Sequence, residues 1–307
     1  MFNSITSTSI HRITTDRGLP RISYPFWLFL NLINNSYLPD VSDPALTMSD
    51  FKPTISDAEW KQLSPESSPS RKWSDLFWMN LPWERIQREL REIHVFDAGC
   101  GSGRYGPLLQ QYSHGRLASY FGADLFESPN WALLSTAHPN FTFRKLDSVS
   151  ILNEIPRQCN FIISQSAIEH FQDDLIFMRQ LEEFVACANR PVIQIHLFPS
   201  SACLRLYLMH GVRQYTPSTV SKLIQPFKSF SRCHLYKLGG QASNDVFWRY
   251  YTKPIAFLRI GDQRLKDVEK YNADVRYAME SDLRGPLSNP SFYALIIHSN
   301  FSENIFG

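Results

Sequence analysis

The stretch Ile93–Gly106, reading IHVFDAGCGSGRYG, constrains this chain more than any other. A β-branched and aromatic run, Ile93–Phe96, ends at Asp97, and Gly99, Gly101 and Gly103 follow at every second position. The sequence then turns helix-compatible over Tyr105–Tyr112. That is a strand, a tight loop and a helix start. Glycines belong where a backbone must take positive φ and let a ligand lie against it with no Cβ between, so the loop reads as a site for a nucleotide-sized ligand.

Gly101, Gly103 and Gly106 spell GxGxxG, but the dinucleotide fingerprint counts from the first glycine after the strand. Counted from Gly99, its third glycine position holds Arg104. The carboxylate of Asp97 at the strand end opposes a pyrophosphate and suits a cationic ammonium group, as on a methionine moiety. Binding of NAD(P) is therefore not expected. With Asp97, Gly99, Gly101 and Gly103 in this order, the stretch resembles the first motif of the class I S-adenosylmethionine (SAM)-dependent methyltransferases at all four positions. The resemblance implies SAM as cofactor, held by these four residues.

Strand and helix patterns alternate onward. Ser119–Ala123 reads as a second strand ending at Asp124, 27 positions after Asp97. A carboxylate there can accept hydrogen bonds from both ribose hydroxyls, and Asp124 matches the ribose-binding acid of the resembled family; the lesser reading has it cap the following helix, which Glu127 or Ser128 could cap as well. A third strand, Phe141–Leu146, ends at Asp147 and Ser148. The resemblance implies a contact to the adenine amine at that position, though both are also ordinary turn residues. The fourth strand, Phe161–Ser164, leads into Gln165, which the resemblance places with the cofactor residues. SQSAIEHF is similar to the family's fourth motif, where an acid–histidine pair faces the substrate.

The fifth strand, Val192–His196, is nearly continuously apolar, as expected for a parallel strand buried on both faces. RQYTPSTVSKLI, Arg213–Ile224, starts a helix at Pro217 after Thr216. Cys233–Leu238 and Ser291–His298 read as a terminal antiparallel pair, with a helical excursion at 239–287 centred on Asp267–Asp282. The expected fold is α/β: a Rossmann-like, seven-stranded, mostly parallel sheet with helices on both faces and an antiparallel last strand. It spans 92–300.

Residues 1–47 differ from the rest and are expected to be a poorly structured extension. Their apolar run, Pro25–Ile33, is about half the length of a membrane-spanning helix, and Met48 opens a more ordinary protein start. The segment 48–91 carries helix-start signals at Ser56–Asp57 and Ser74–Asp75. Its aromatics, Trp73, Phe77, Trp78 and Trp83, form either a lid over the ligand or helices docked on the core.

Composition narrows the partners. The 307 residues carry 31 basic and 29 acidic side chains, and the resulting net charge of +2 leaves no broad surface for a phosphate backbone. The sequence carries no strong nucleic-acid signal, though a local basic patch stays open, and no transmembrane segment is expected. Five cysteines, Cys100, Cys159, Cys187, Cys203 and Cys233, contain no CxxC pair, which fits a reducing, cytoplasmic compartment without zinc.

Proton removal is the one chemical task that methyl transfer from a sulfonium leaves to side chains. His170 is the first candidate for general base, Glu169 could orient it, and His196 is the alternative base. The bland reading has all three in the pocket wall. Some methyltransferases carry ExxEH after the fourth strand and bind a divalent metal; here Ser166 replaces the first acid, so no metal is expected. The preferred function is methyl transfer to an oxygen or nitrogen of a small molecule or glycan precursor. A protein or RNA methyltransferase, or a non-catalytic SAM-binding scaffold, remains the alternative.

Overall fold

A computed structural model describes residues 6–16, 18–147, 151, 153–208 and 210–306. Ser148, one of the expected cofactor residues, lies outside them. The chain opens with α1 (Tyr24–Ser36) and β1 (Leu46–Asp50), followed by three helices, α2 (Asp57–Gln62), α3 (Pro69–Met79) and α4 (Trp83–Leu90). Strand and helix then alternate through β2 (Ile93–Ala98), α5 (Tyr105–Tyr112), β3 (Leu117–Asp124), α6 (Asn130–Ala137), β4 (Phe141–Lys145) and β5 (Phe161–Gln165). The second half comprises α7 (Asp174–Ala186), β6 (Val192–Pro199), α8 (Cys203–Tyr207), α9 (Pro217–Ile224), β7 (Ser231–Leu238), α10 (Gln241–Phe247), α11 (Val268–Asp282) and β8 (Phe292–Ser299).

The strands form one sheet in the order β1-β7-β8-β6-β5-β2-β3-β4. All neighbouring pairs are parallel except those of β8, which runs antiparallel to both β6 and β7. This is the expected Rossmann-like architecture with one strand more than expected. The order reverses between β2 and β5, so their carboxyl ends open the crevice where a ligand seats in a doubly wound sheet.

Adjacent residues of one strand feed different cores. Val95 joins the cluster under α3, α4 and α5, whereas Phe96 joins the one under α7 and α9. Both faces being covered, every residue of β6 and β8 is buried. Each fully buried aliphatic or Phe side chain contributes about 1.5–3 kcal/mol. Local signals fix the helix starts. Ser56 and Glu59 form a reciprocal capping box on α2, and Thr216 with Thr219 forms one on α9, with Pro217 in its first turn.

Two expectations are corrected. The segment 1–47 is not without structure: α1 is a 13-residue helix, and Leu46–Asp50 adds an edge strand paired with Cys233–Lys237. Leu46 gains a buried position in the α7/α9 core, which such a short, mostly polar strand does not advertise. Ser74 and Asp75 do not start a helix. They lie inside α3, which begins after Ser68 because that hydroxyl accepts the Arg71 amide and Pro69 supplies a preset φ. Of the two readings of the aromatic segment, docking is the one observed, since Trp73, Phe77, Trp78 and Trp83 are all in the core.

Candidate functional site

The loop after β2 turns on glycines with different jobs. Gly99, Gly101 and Gly103 all have positive φ, +80°, +54° and +79°. A Cβ on Gly99 would sit 2.4 Å from Ala167 Cβ, and one on Gly103 would sit 2.6 Å from Phe143, so these two permit packing. At Gly101 a Cβ would meet nothing within 4 Å. That backbone faces open space.

Around it the strand ends supply polar groups. Asp124 accepts the Gly101 amide at 2.8 Å through Oδ2 and the Phe126 amide at 3.0 Å through Oδ1. The Trp131 indole donates to the Gly101 carbonyl at 2.9 Å, pinning the loop from α6. Each carboxylate oxygen of Asp124 keeps a further lone pair for a ligand hydroxyl. Directly after it, Leu125 and Phe126 are exposed, the latter 74%.

Asp97 is buried, with Oδ2 accepting the Tyr120 hydroxyl at 2.5 Å and Oδ1 without a partner among the described residues. Burial pushes its pKa up to about 7; the Tyr120 bond opposes the rise and the neighbouring Asp124 adds to it. An unpaired carboxylate oxygen in this position calls for a cation. Asp147 is exposed beyond the end of β4. Gln165 ends β5 and accepts the Trp78 indole at 2.8 Å, so α3 is fastened to the switch point.

The turn after β5 lies against the glycine loop, since Ala167 and Phe171 are the nearest groups to Gly99. Ser166 begins it in the left-handed region at φ +53°, a conformation that a serine adopts only under constraint. Glu169 is fully buried, and neither of its carboxylate oxygens makes a hydrogen bond among the described residues. Burial raises its pKa and His170 opposes the rise.

His170 is partly exposed and its Nδ1 lies 2.7 Å from Asp16 Oδ2, while Nε2 faces Glu169 Oε1 at 3.9 Å. Burial alone would lower the His170 pKa; the Asp16 hydrogen bond and the Glu169 charge outweigh it, and the pKa is raised. The ring of His210 stands edge-on to His170 at 4.7 Å. One ligand atom each from Glu169, His170 and His210 comes within 4.8 Å of the others.

His196 belongs elsewhere. It is not at a strand end, because β6 continues through Leu197 and Phe198, paired with Ala294 and Tyr293 of β8, to Pro199. Its ring is enclosed between Ser164 Oγ at 2.8 Å and Gln194, with Phe177 of α7 edge-on. Burial lowers its pKa to about 3. It is a core histidine, and of the two readings of this residue the general base is withdrawn.

Several site groups had no signal in the linear sequence. Arg71 of α3 donates to the Tyr105 hydroxyl at 2.7 Å, and that hydroxyl donates to Asp75 at 2.7 Å. Ser70 and Tyr207 join at 2.5 Å, and Tyr207 approaches the His210 ring at 5.9 Å. Asp16 likewise comes from a segment remote from any motif, and His210 stands just before the Arg213–Ile224 stretch without belonging to it. A polar residue inside an aromatic-rich helix, such as Asp75, is the one hint that was available.

No family model matches the chain, and no curated protein matches it. Solved structures similar to it include the plantazolicin methyltransferase BamL in complex with a triazolic desmethylPZN analog and SAH, at 13% identity and a TM-score of 0.46, covering 78% of this chain and 93% of that one. A putative sarcosine dimethylglycine methyltransferase from Galdieria sulphuraria is similar at 14% identity and a TM-score of 0.44, over 73% of this chain and 84% of that one. A SAM-dependent methyltransferase from Archaeoglobus fulgidus is similar at 16% identity and a TM-score of 0.40, over 71% and 94%.

Proposed function

We propose that this protein is a SAM-dependent methyltransferase acting on an oxygen or nitrogen of a small molecule. One observation carries the reading: the open backbone at Gly101 lies at the switch point with Asp124 bonded to its amide, and the strand before it ends in a buried Asp97 whose Oδ1 is unpaired. These groups fit the cofactor. Asp97 would face its ammonium group, Asp124 its ribose hydroxyls, and Leu125 and Phe126 the apolar face of its base. Asp147 and Gln165 would complete the cofactor side.

When bound, SAM supplies an electrophilic methyl group on a sulfonium. The chain's own residues then align the acceptor, exclude water and take a proton. His170 takes that proton at Nε2, because Asp16 occupies Nδ1 and fixes the ring. Glu169 stands on the Nε2 side and would stabilise the imidazolium that results. Isothermal titration calorimetry with SAM and S-adenosylhomocysteine tests the cofactor half. Labelled methyl transfer into a size-fractionated cell extract tests the acceptor half: label in the low-mass fraction supports this reading, label in protein or RNA replaces the substrate, and binding without transfer leaves a scaffold.

A second reading rests on the Glu169, His170 and His210 grouping, whose two imidazoles and one carboxylate would suit a divalent transition metal that polarises the acceptor. Transfer that disappears with EDTA and returns with added metal ion would select it over proton abstraction by His170.

A further inference from the structure

Helix α1 is amphipathic the wrong way round. Its asparagines face the protein: Asn31, Asn34 and Asn35 are buried beside Trp27. They tie the helix down by polar bonds, Asn31 to His11 at 3.0 Å, Asn34 to the Ile10 amide at 3.1 Å and Asn35 to Gln214 at 3.2 Å. The apolar side chains point out. Phe26, Phe29, Leu32 and Ile33 are 43–57% exposed, and Ile22 and Tyr37 at the two ends are 90% and 72% exposed. Between Arg21 and Asp40 the sequence carries no charged side chain at all.

A second apolar face lies in the excursion. Ile255, Phe257, Leu258 and Ile260 are all exposed, in and just after the π-helical turn Pro254–Leu258. From Val246 to Gly261 the charges are Arg249, Lys253 and Arg259, with no acid. Helix α8, which carries the half-exposed Arg205, packs against α1 and also against the turn Trp248–Thr252. One short helix, α8, thus contacts both α1 and the turn that leads into the second apolar face, and it runs on to Tyr207.

We infer that α1 and the 254–260 turn form a docking face for an anionic phospholipid bilayer, on which the protein lies as a peripheral guest. At 13 residues α1 is about 20 Å long, so it can rest along the interface and not cross it. No described helix is long and apolar enough to span a membrane. Charge selects the occupant. Arg21 just before α1 and Lys253 and Arg259 in the turn are exposed and make no ion pair among the described residues, while Arg205 is paired with Asp245 at 4.0 Å; a second copy would bring the same unpaired cations face to face, whereas an anionic leaflet attracts them. Tyr24 and Tyr37 at the ends of α1 suit the headgroup level.

The inference goes beyond the methyl-transfer reading and its test needs no turnover. The full chain is sedimented with vesicles of phosphatidylcholine and with vesicles containing an equal share of phosphatidylglycerol. Binding to the mixed vesicles is expected to exceed binding to the neutral ones by about tenfold or more at low salt. The pair Phe29→Glu and Leu32→Glu, whose side chains are solvent-facing, should abolish it, and Lys253→Glu with Arg259→Glu should remove the preference for anionic lipid. Unaltered circular dichroism and SAM affinity in the variants show that the fold survives. Failure of the wild-type protein to bind mixed vesicles overturns the inference. So does equal binding by Phe29→Glu/Leu32→Glu, or a light-scattering mass of two copies that falls to one in that variant.

Discussion

Nδ1 of His170 and Oδ2 of Asp16 meet at 2.7 Å across 154 positions of sequence. The N-terminal segment is held there by further bonds, from Thr8 to Asp174 and from the Thr15 amide to the Gly211 carbonyl. It therefore positions the candidate base. Asp16, Glu169, His210 and Arg213 are the charged or titratable groups that face the ring; the two carboxylates raise its pKa and Arg213 lowers it, while burial opposes the rise.

The first prediction follows from that balance. In Asp16→Asn the His170 pKa should fall, because the largest raising contribution is removed, and an NMR titration of the His170 ring reads this without any acceptor. The stability sign agrees. A histidine whose folded pKa is raised above about 6.5 stabilises the fold fully below that value and loses the contribution as pH climbs through the folded pKa. Wild-type and Asp16→Asn melting temperatures should accordingly differ more at pH 6 than at pH 9. An unmoved His170 titration would mean that the contact does not govern the ring.

The second prediction separates the glycines. Gly101→Leu places its side chain in open space, so its fold cost is the left-handed backbone, about 1–2 kcal/mol, while SAM binding should be lost. Gly103→Ala adds to that backbone cost a Cβ 2.6 Å from Phe143, about 1–3 kcal/mol of overpacking. Calorimetry and thermal melts should thus rank the two in opposite orders. Gly101→Leu binding SAM like the wild type would remove the cofactor assignment from this loop.

Where the sequence was legible, the reason is local. The loop 99–103, the caps at Ser56 and Thr216 and the apolar strand β5 each declare themselves within a few residues. What escaped depends on partners far along the chain. Edge strand β1, LTMSD, is a strand because β7 offers it a ladder. His196 read as a strand end because the apolar run seemed to stop there, yet pairing with β8 carries the strand on to Pro199. The inward-facing asparagines of α1 defeat an amphipathic reading outright, since their partners outside the helix are the Ile10 amide, the His11 ring and the Gln214 side chain.

The third prediction concerns His196. Its pKa of about 3 in the folded chain lies below the ordinary 6.5, so the unfolded chain binds a proton that the native one refuses. Stability should fall as pH drops from about 6.5 toward 3. His196→Leu, of similar volume, should flatten that fall relative to wild type in urea midpoints measured at pH 7.5 and pH 5. His298, lowered to about 4, and His11, also lowered, act in the same direction in both proteins and cancel in the comparison. A slope unchanged by the substitution would place the His196 ring in contact with solvent.

The last prediction is His170→Ala. If Nε2 accepts the acceptor's proton, kcat should drop by roughly 10²-fold to 10⁴-fold while SAM affinity changes little, because neither Asp97 nor Asp124 is among the groups that act on the ring. The wild-type kcat/KM profile should rise with pH, since only the neutral ring is a base, and its limb should lie above the ordinary histidine value because Asp16 and Glu169 raise the pKa. Asp16→Asn should move that limb to lower pH, and His170→Ala should abolish it. His210→Ala then separates the two readings of the site. Proton abstraction by His170 predicts a modest loss with the limb retained, whereas a metal held by Glu169, His170 and His210 predicts that His210→Ala and EDTA each cost as much as His170→Ala. Near-normal kcat in His170→Ala would assign the ring to the pocket wall and leave alignment alone to carry the transfer.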